Sequence, residues 1–167
     1  DVGLGKTMAA LLVLRDPRAL PSLVVPPTHL PAQWVSELLK TLPLLRYHIV
    51  RKGSPYELTD RDGHEPDVVI CPYSKLRGWA PYLAGRVRSV LFDEVQELRR
   101  PDSQKYTAAA RIADLTDFRV GLTATERAEV PRRDRDSLGV RHLRGRRQRG
   151  RGELLRGAAA HVGEERI

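Results

Sequence analysis

Short apolar runs recur along the first three quarters of the chain, each closed by turn-forming residues: "SLVVPP" (22–27), "YHIVR" (47–51), "DVVICPY" (67–73), "RSVLFDE" (88–94) and "FRVGLTA" (118–124). Runs of this length, rich in Val, Ile and Phe and bounded by Pro, Gly, Asp or Ser, read as short buried strands. Between several of them the spacing changes to that of a helix. In "HLPAQWVSELLKTL" (29–42), Leu30, Trp34 and Leu38 recur every four residues and so share one helix face. After "PDSQ", Tyr106, Ala109, Ala110 and Ala113 form a second packing stripe, with Asp102 or Ser103 as the N-cap. Strands alternating with helices predict an α/β fold: a mostly parallel sheet flanked by helices. Ligands in such sheets lie beyond the carboxyl ends of the strands, in the loops that follow them.

The alternation stops near residue 125. Residues 1–125 hold every Tyr, Trp and Phe and carry 17 Lys+Arg against 14 Asp+Glu, whereas residues 126–167 carry 12 arginines against 7 acidic residues, with no lysine and no aromatic residue. A segment of that composition does not bury a core. The prediction is therefore one α/β domain over 1–125 followed by a basic, low-order tail over 126–167. Two origins for the tail stay open: a genuine arginine-rich disordered segment that contacts phosphate backbones, or a stretch read in a shifted frame. The net charge of +8 and pI near 10.1 favour an anionic partner, nucleic acid being the usual one. A single cysteine, Cys71, excludes an internal disulfide framework, and the five histidines show no zinc-ligand spacing. No apolar run approaches the roughly 18–20 residues of a membrane span and no basic-then-apolar leader opens the chain, so the expected setting is cytoplasmic, with no membrane partner.

Three stretches carry chemistry. "GLGKT" (3–7) supplies what a phosphate cradle needs. Gly3 and Gly5 let the backbone turn so that its N–H groups face an anion, the following helix presents its positive end, Lys6 reaches the β and γ phosphates, and Thr7 holds Mg²⁺. The plain alternative is a flexible glycine-containing terminus ahead of an amphipathic helix, "MAALLVLR". In "SVLFDEVQ" (89–96), an apolar strand delivers Asp93 and Glu94 to the carboxyl edge of the sheet, where Asp93 holds Mg²⁺ and Glu94 orients or deprotonates a water. Acidic residues after a strand are also ordinary solvated turns. The third stretch, "VGLTAT" (120–125), runs a strand into a hydroxyl-rich loop whose Thr123 and Thr125 can bond to the Asp-Glu segment, although threonine is common in plain β-structure.

Taken in order, "DVGLGKT", "LVVPPTHLPAQW", "VLFDEVQELR" and "GLTAT" resemble the first RecA-like lobe of the DEAD/DEAH-box helicase superfamily, and within it the Swi/Snf-like double-strand translocases. The resemblance covers residues 1–125. It implies a P-loop fold with ATP and Mg²⁺ as cofactors: Gly3, Gly5, Lys6 and Thr7 on ATP·Mg²⁺, Asp93 and Glu94 in hydrolysis, and Gln96 closing a DEVQ form of the box. It also implies that Pro27, Thr28 and His29 lie near a nucleic-acid backbone, double-stranded DNA by the Swi/Snf-like flavour, and that Thr123 and Thr125 couple hydrolysis to movement. "PPTHLPAQW" has a structural reading too, in which prolines end a strand and Trp34 faces a core. The family's first strand would precede Asp1, and a second lobe with arginine fingers would follow. The fold expected here lacks both, and Glu126 stands where the family continues "TAT" with proline. Arginine fingers contribute about 10³–10⁵ in rate to related phosphoryl transfer. The expected function is that of part of an ATP-dependent DNA helicase or translocase, poorly hydrolytic by itself. The other reading is a non-catalytic basic nucleic-acid-binding protein with a vestigial nucleotide site.

Overall fold

The computed structural model describes residues 4–123; Gly3, Thr125 and the arginine-rich segment lie outside the described residues, as would any strand preceding the glycine-rich run. Five strands form one all-parallel sheet: β1 (Ser22–Val25), β2 (Tyr47–Ile49), β3 (Val68–Ile70), β4 (Ser89–Phe92) and β5 (Phe118–Gly121). Their spatial order is β2-β3-β1-β4-β5. Each of the five apolar runs contributes one strand, and the expected α/β architecture with a parallel sheet is the one observed. β1 is short because Pro26 and Pro27, which have no N–H, follow it directly.

Four helices flank the sheet: α1 (Leu4–Leu11), α2 (Pro31–Thr41), α3 (Tyr73–Leu83) and α4 (Gln104–Ala113). Side chains alternate along each strand, so the sheet feeds two cores. Leu23, Val25, Val69, Val90 and Phe92 pack against α3 and α4 through Leu76, Trp79, Leu83, Ala109 and Ile112. Val24, Ile70, Leu91 and Val120 pack on the other face against Ala10 and Leu11 of α1 and Trp34 and Leu38 of α2. β1, β3 and β4 bury both faces, which is why they read as continuous apolar runs rather than as alternations.

Helix α2 buries the Trp34/Leu38 face expected from its four-residue repeat. Ser103 is the N-cap of α4, its hydroxyl accepting from Tyr106 N at 3.1 Å. The helix-like "MAALLVLR" is regular only through Leu11 and tightens into a 3₁₀ turn over Leu12–Arg15. Helix α3 is the element the pattern does not announce. Leu76, Trp79, Ala80 and Leu83 are buried at helical spacing, but Gly78 and Pro81 lie among them and read as breakers. Among the described residues no helix is long and apolar enough to cross a membrane.

Gly78 has a packing reason. The loop after β2 lies directly against α3, pinned by Lys75 Nζ donating to Val50 O at 3.0 Å and Trp79 Nε1 donating to Lys52 O at 2.9 Å. Tyr56 Oη accepts from Arg51 N at 3.0 Å, and its ring stands edge-on to Trp79 with centroids 5.0 Å apart. A Cβ on residue 78 would fall 1.8 Å from the carbonyl oxygen of Gly53, a distance no packing adjustment of side chains relieves because the obstacle is backbone. Gly78→Ala is therefore expected to lower stability by about 1–3 kcal/mol, the usual cost of overpacking. Urea unfolding of the two chains measures it, and an unchanged midpoint would mean that the loop is not seated on the helix.

Candidate functional site

Parallel pairing sends the carboxyl end of every strand to one edge. The chain leaves β1 toward β2 on one side and leaves β4 toward β5 on the other, so the crevice between β1 and β4 is a topological switch point, the place where ligands enter open α/β sheets. Two loops meet there: residues 26–30 after β1 and residues 93–98 after β4.

The first loop starts at Pro26 and Pro27, which have no N–H to extend the ladder, and ends as Leu30 N donates to Pro27 O at 3.0 Å and Pro31 opens α2. Thr28 and His29 are exposed at its tip, whereas Pro27 is buried and shapes the turn from beneath. The second loop is held at Asp93 by four hydrogen bonds. Asp93 N donates to Val25 O at 3.0 Å, continuing the sheet one residue past β4. Glu94 N donates to Asp93 Oδ1 and the Trp34 indole Nε1 donates to Asp93 Oδ2, each at 2.9 Å. Tyr73 Oη donates to Asp93 O, also at 2.9 Å. Burial raises the Tyr73 phenol well above its ordinary value, and the carboxylates of Asp93, Glu97 and Glu94 add to the shift, so the phenol stays protonated and a donor.

Glu94 has left-handed backbone angles, φ 47° and ψ 55°, costly for any residue that carries a Cβ. The sheet imposes the turn. Leu122 N donates to Phe92 O and Val95 N donates to Leu122 O, both at 2.8 Å, so the chain must reverse at residue 94 to return to β5. The Glu94 carboxyl is raised above its ordinary value, chiefly by burial and then by Asp93, while Lys6 opposes the shift and Glu97 adds to it. Gln96 bridges the loop to the segment just past β5. Its amide Nε2 donates to Glu94 Oε2, and its Oε1 accepts from Thr123 Oγ1 at 3.0 Å.

Lys6 and Thr7 arrive on the first turn of α1, which packs against α2, β4 and β5 through Ala10 and Leu11, joined by Leu14 of the 3₁₀ turn that follows. Lys6 is half-buried and Thr7 is 8 % exposed. The space a Cβ would occupy at Gly5 is open, with no atom within 4 Å. The structure thus brings Gly5, Lys6, Thr7, Asp93, Glu94, Gln96 and Thr123 to one end of the domain, with Lys6 within electrostatic reach of Glu94. Thr7 offers a hydroxyl and Asp93 a carboxylate, hard oxygens of the kind that suit a small divalent cation such as Mg²⁺ better than a soft one.

Two residues gripping Asp93 are not evident as site residues in the sequence. Trp34 reads there as a core residue and is one, being 2 % exposed. Tyr73 sits in the strand-like "DVVICPY". The available signal was chemical rather than positional: a buried indole N–H or phenol needs a partner, and a partner near Asp93 is a natural one.

No family model matches the chain. Over 126 residues it is 29 % identical to a protein of African swine fever virus named as a candidate ATP-dependent RNA helicase, covering 75 % of this chain and 23 % of that one. Among solved structures it is similar to the Sulfolobus solfataricus SWI2/SNF2 ATPase core in complex with dsDNA, with TM-score 0.62 and 26 % identity over 75 % of this chain and 26 % of that one. It shares its fold with the same organism's SWI2/SNF2 ATPase core domain, with TM-score 0.58 and 24 % identity over the same shares. The chain spans about a quarter of the length of the relatives it matches. The fold is RecA-like, and the chain is similar to helicases and Swi2/Snf2-type ATPase cores.

The turn at Glu94 gives a stability test that is independent of any ligand. Glu94→Ala and Glu94→Gly both delete the bond from Gln96, but only glycine adopts φ near 47° without strain. The left-handed penalty of about 1–2 kcal/mol, less the extra chain entropy of glycine, leaves the Gly variant more stable than the Ala variant by about 0.5–1 kcal/mol. Denaturant midpoints of the two variants check it.

Proposed function

We propose that the chain is the nucleotide-binding part of an ATP-dependent translocase that acts on double-stranded DNA. One observation carries the reading: the glycine-lysine-threonine turn, the Asp-Glu pair, Gln96 and Thr123 converge on one sheet edge, beside an exposed loop bearing Thr28 and His29. In this reading the first turn of α1 and the open backbone at Gly5 receive phosphate oxygens, with Gly3 extending the cradle and Lys6 neutralising the β and γ phosphates. Thr7 and Asp93 hold Mg²⁺, which when bound draws charge from the phosphate oxygens. Glu94 orients and deprotonates the water whose oxygen bonds to the γ-phosphorus as the bond to the β-γ bridging oxygen breaks, giving ADP and phosphate. Gln96 links Glu94 to Thr123, so a change at the carboxylate is felt just past the end of β5. Efficient turnover belongs to the whole protein, where a second lobe adds cationic side chains to the transition state.

Double-stranded DNA is favoured as the polymer because the solved Swi2/Snf2 relative is a dsDNA complex. Pro27 supports the loop whose Thr28 and His29 meet the phosphate backbone. The viral relative's name favours RNA instead, and a competition between duplex DNA and duplex RNA separates the two.

Titrating the full chain with a fluorescent ATP analogue in Mg²⁺ tests the nucleotide site. Lys6→Ala is expected to weaken binding by about 10–100-fold, the worth of a charge-assisted contact, while leaving salt-dependent DNA binding unchanged. A Lys6→Ala chain that binds nucleotide as well as the wild type would leave a basic nucleic-acid-binding protein with a vestigial site.

A further inference from the structure

The two tryptophans of the chain are both buried and both use their indole N–H, but on different kinds of acceptor. Trp79 donates to a backbone carbonyl, Lys52 O, and in doing so seats a loop on α3. Trp34 donates instead to a carboxylate oxygen at the centre of the candidate site. A fold needs only some acceptor for a buried indole, so the choice of Asp93 asks for a reason. The geometry points to Trp34 as a positioning residue that fixes the Asp93 carboxylate and ties it to the 26–30 loop. This inference rests on the nucleotide-site reading above.

Three observations carry it. The carboxylate is gripped at both oxygens, Oδ1 by Glu94 N and Oδ2 by the indole, so its plane is set before any cation arrives, while each oxygen keeps a second lone pair for one. Trp34 belongs to the first turns of α2, and its own N–H donates to Leu30 O at 3.2 Å while Leu30 N donates to Pro27 O at 3.0 Å, so the indole rides on the loop that exposes Thr28 and His29. A second route reaches the same residue from the opposite face of the sheet: Tyr73 N donates to Pro26 O at 3.2 Å and its hydroxyl donates to Asp93 O. The loop is therefore tied to the side chain of Asp93 by α2 and to its backbone by α3. A polymer seated on Thr28 and His29 shifts both ties together, which gives contact with nucleic acid a direct mechanical hold on the residue that holds Mg²⁺.

The test is a Mg²⁺ titration of mant-ATP binding to the full chain, with and without duplex DNA, and with affinity in EDTA as the internal control. Trp34→Phe keeps the ring and removes the donor. The Mg²⁺ concentration for half-maximal effect is expected to rise about tenfold, in the range typical for groups that orient a metal ligand, with affinity in EDTA unchanged. The effect of DNA on Mg²⁺-dependent binding should shrink in parallel. In an Asp93→Asn background the same substitution should change the Mg²⁺ dependence less than about twofold, because the residue acts through that carboxylate. Should Trp34→Phe fold poorly, 3-benzothienylalanine at position 34 replaces the N–H by sulfur at nearly constant shape and carries the same expectation. A folded variant with wild-type Mg²⁺ dependence overturns the inference while leaving the nucleotide site standing. A wild-type chain whose nucleotide binding ignores both Mg²⁺ and Lys6→Ala overturns both.

Discussion

The parallel hydrogen-bond ladder on either side of β1 is the constraint on which the remaining structure depends. β1 pairs with β3 through Ser22, Leu23 and Val24 and with β4 through all four of its residues, so its neighbours are fixed in register to within one residue. Slipping the β4 pair by one position would turn Val90 and Leu91 to the wrong faces, and slipping the β3 pair would do the same to Val69 and Ile70. With register fixed, the loops after β1 and β4 must leave the sheet side by side. Asp93 N continues the ladder onto Val25 O, and Leu122 N continues it onto Phe92 O, so the site begins as an extension of the sheet rather than as a separate loop cluster. The amino ends are secured too. The buried Ser89 hydroxyl lies 2.7 Å from Ala19 O and 2.8 Å from Ser22 Oγ, satisfying two hydroxyls that would otherwise be costly to bury.

Much of this was legible in the sequence because the signals are local. Buried parallel strands must be apolar on both faces, and "SLVV", "DVVIC" and "SVLF" show it within a handful of residues. Helix α2 declares itself by Leu30, Trp34 and Leu38, and α4 by a serine cap ahead of an alanine-rich stripe. The order of Lys6, Asp93 and Glu94 along an alternating chain was enough to bring them to one edge on paper. What stayed hidden depends on contacts distant in sequence. Helix α3 contains Gly78 because of Gly53, 25 positions earlier, and nothing local distinguishes that glycine from a breaker. The bond from Trp34 to Asp93 spans 59 positions, and the left-handed turn at Glu94 follows from the return of Val95 to β5 rather than from any preference of glutamate.

The site concentrates what the rest of the domain avoids. Elsewhere among the described residues buried polar side chains are few: Thr116 bonds to Ala113 O, Glu37 accepts from Lys40, and the Ser22 and Ser89 hydroxyls pair across two strands. Around Asp93, two acidic side chains, an amide, an indole and a phenol interlock within a short reach, and the backbone is strained at the same point. A buried polar network is stable only when every member is satisfied, so its parts constrain one another closely. Phe92 and Tyr73 stack with ring centroids 6.5 Å apart, which carries that constraint into the core beneath. The site is therefore closely held around its carboxylates, with Thr28 and His29 reaching solvent beside it.

The connection from β2 to β3 divides the burden unevenly. Its first part, through Leu58, is buried or pinned on α3, whereas residues 60–65 are all exposed and bonded mainly to themselves, with Asp60 Oδ1 accepting from Asp62 N at 3.0 Å and His64 N at 2.8 Å. Gly63, at φ 81°, completes that self-contained turn. Over evolutionary time, length can change there without moving a strand, since neither the ladder nor either core would register the difference. Homologous chains should accordingly gain and lose residues at this tip, and a tag or reporter domain inserted between Asp62 and Gly63 would ride outside the packed domain.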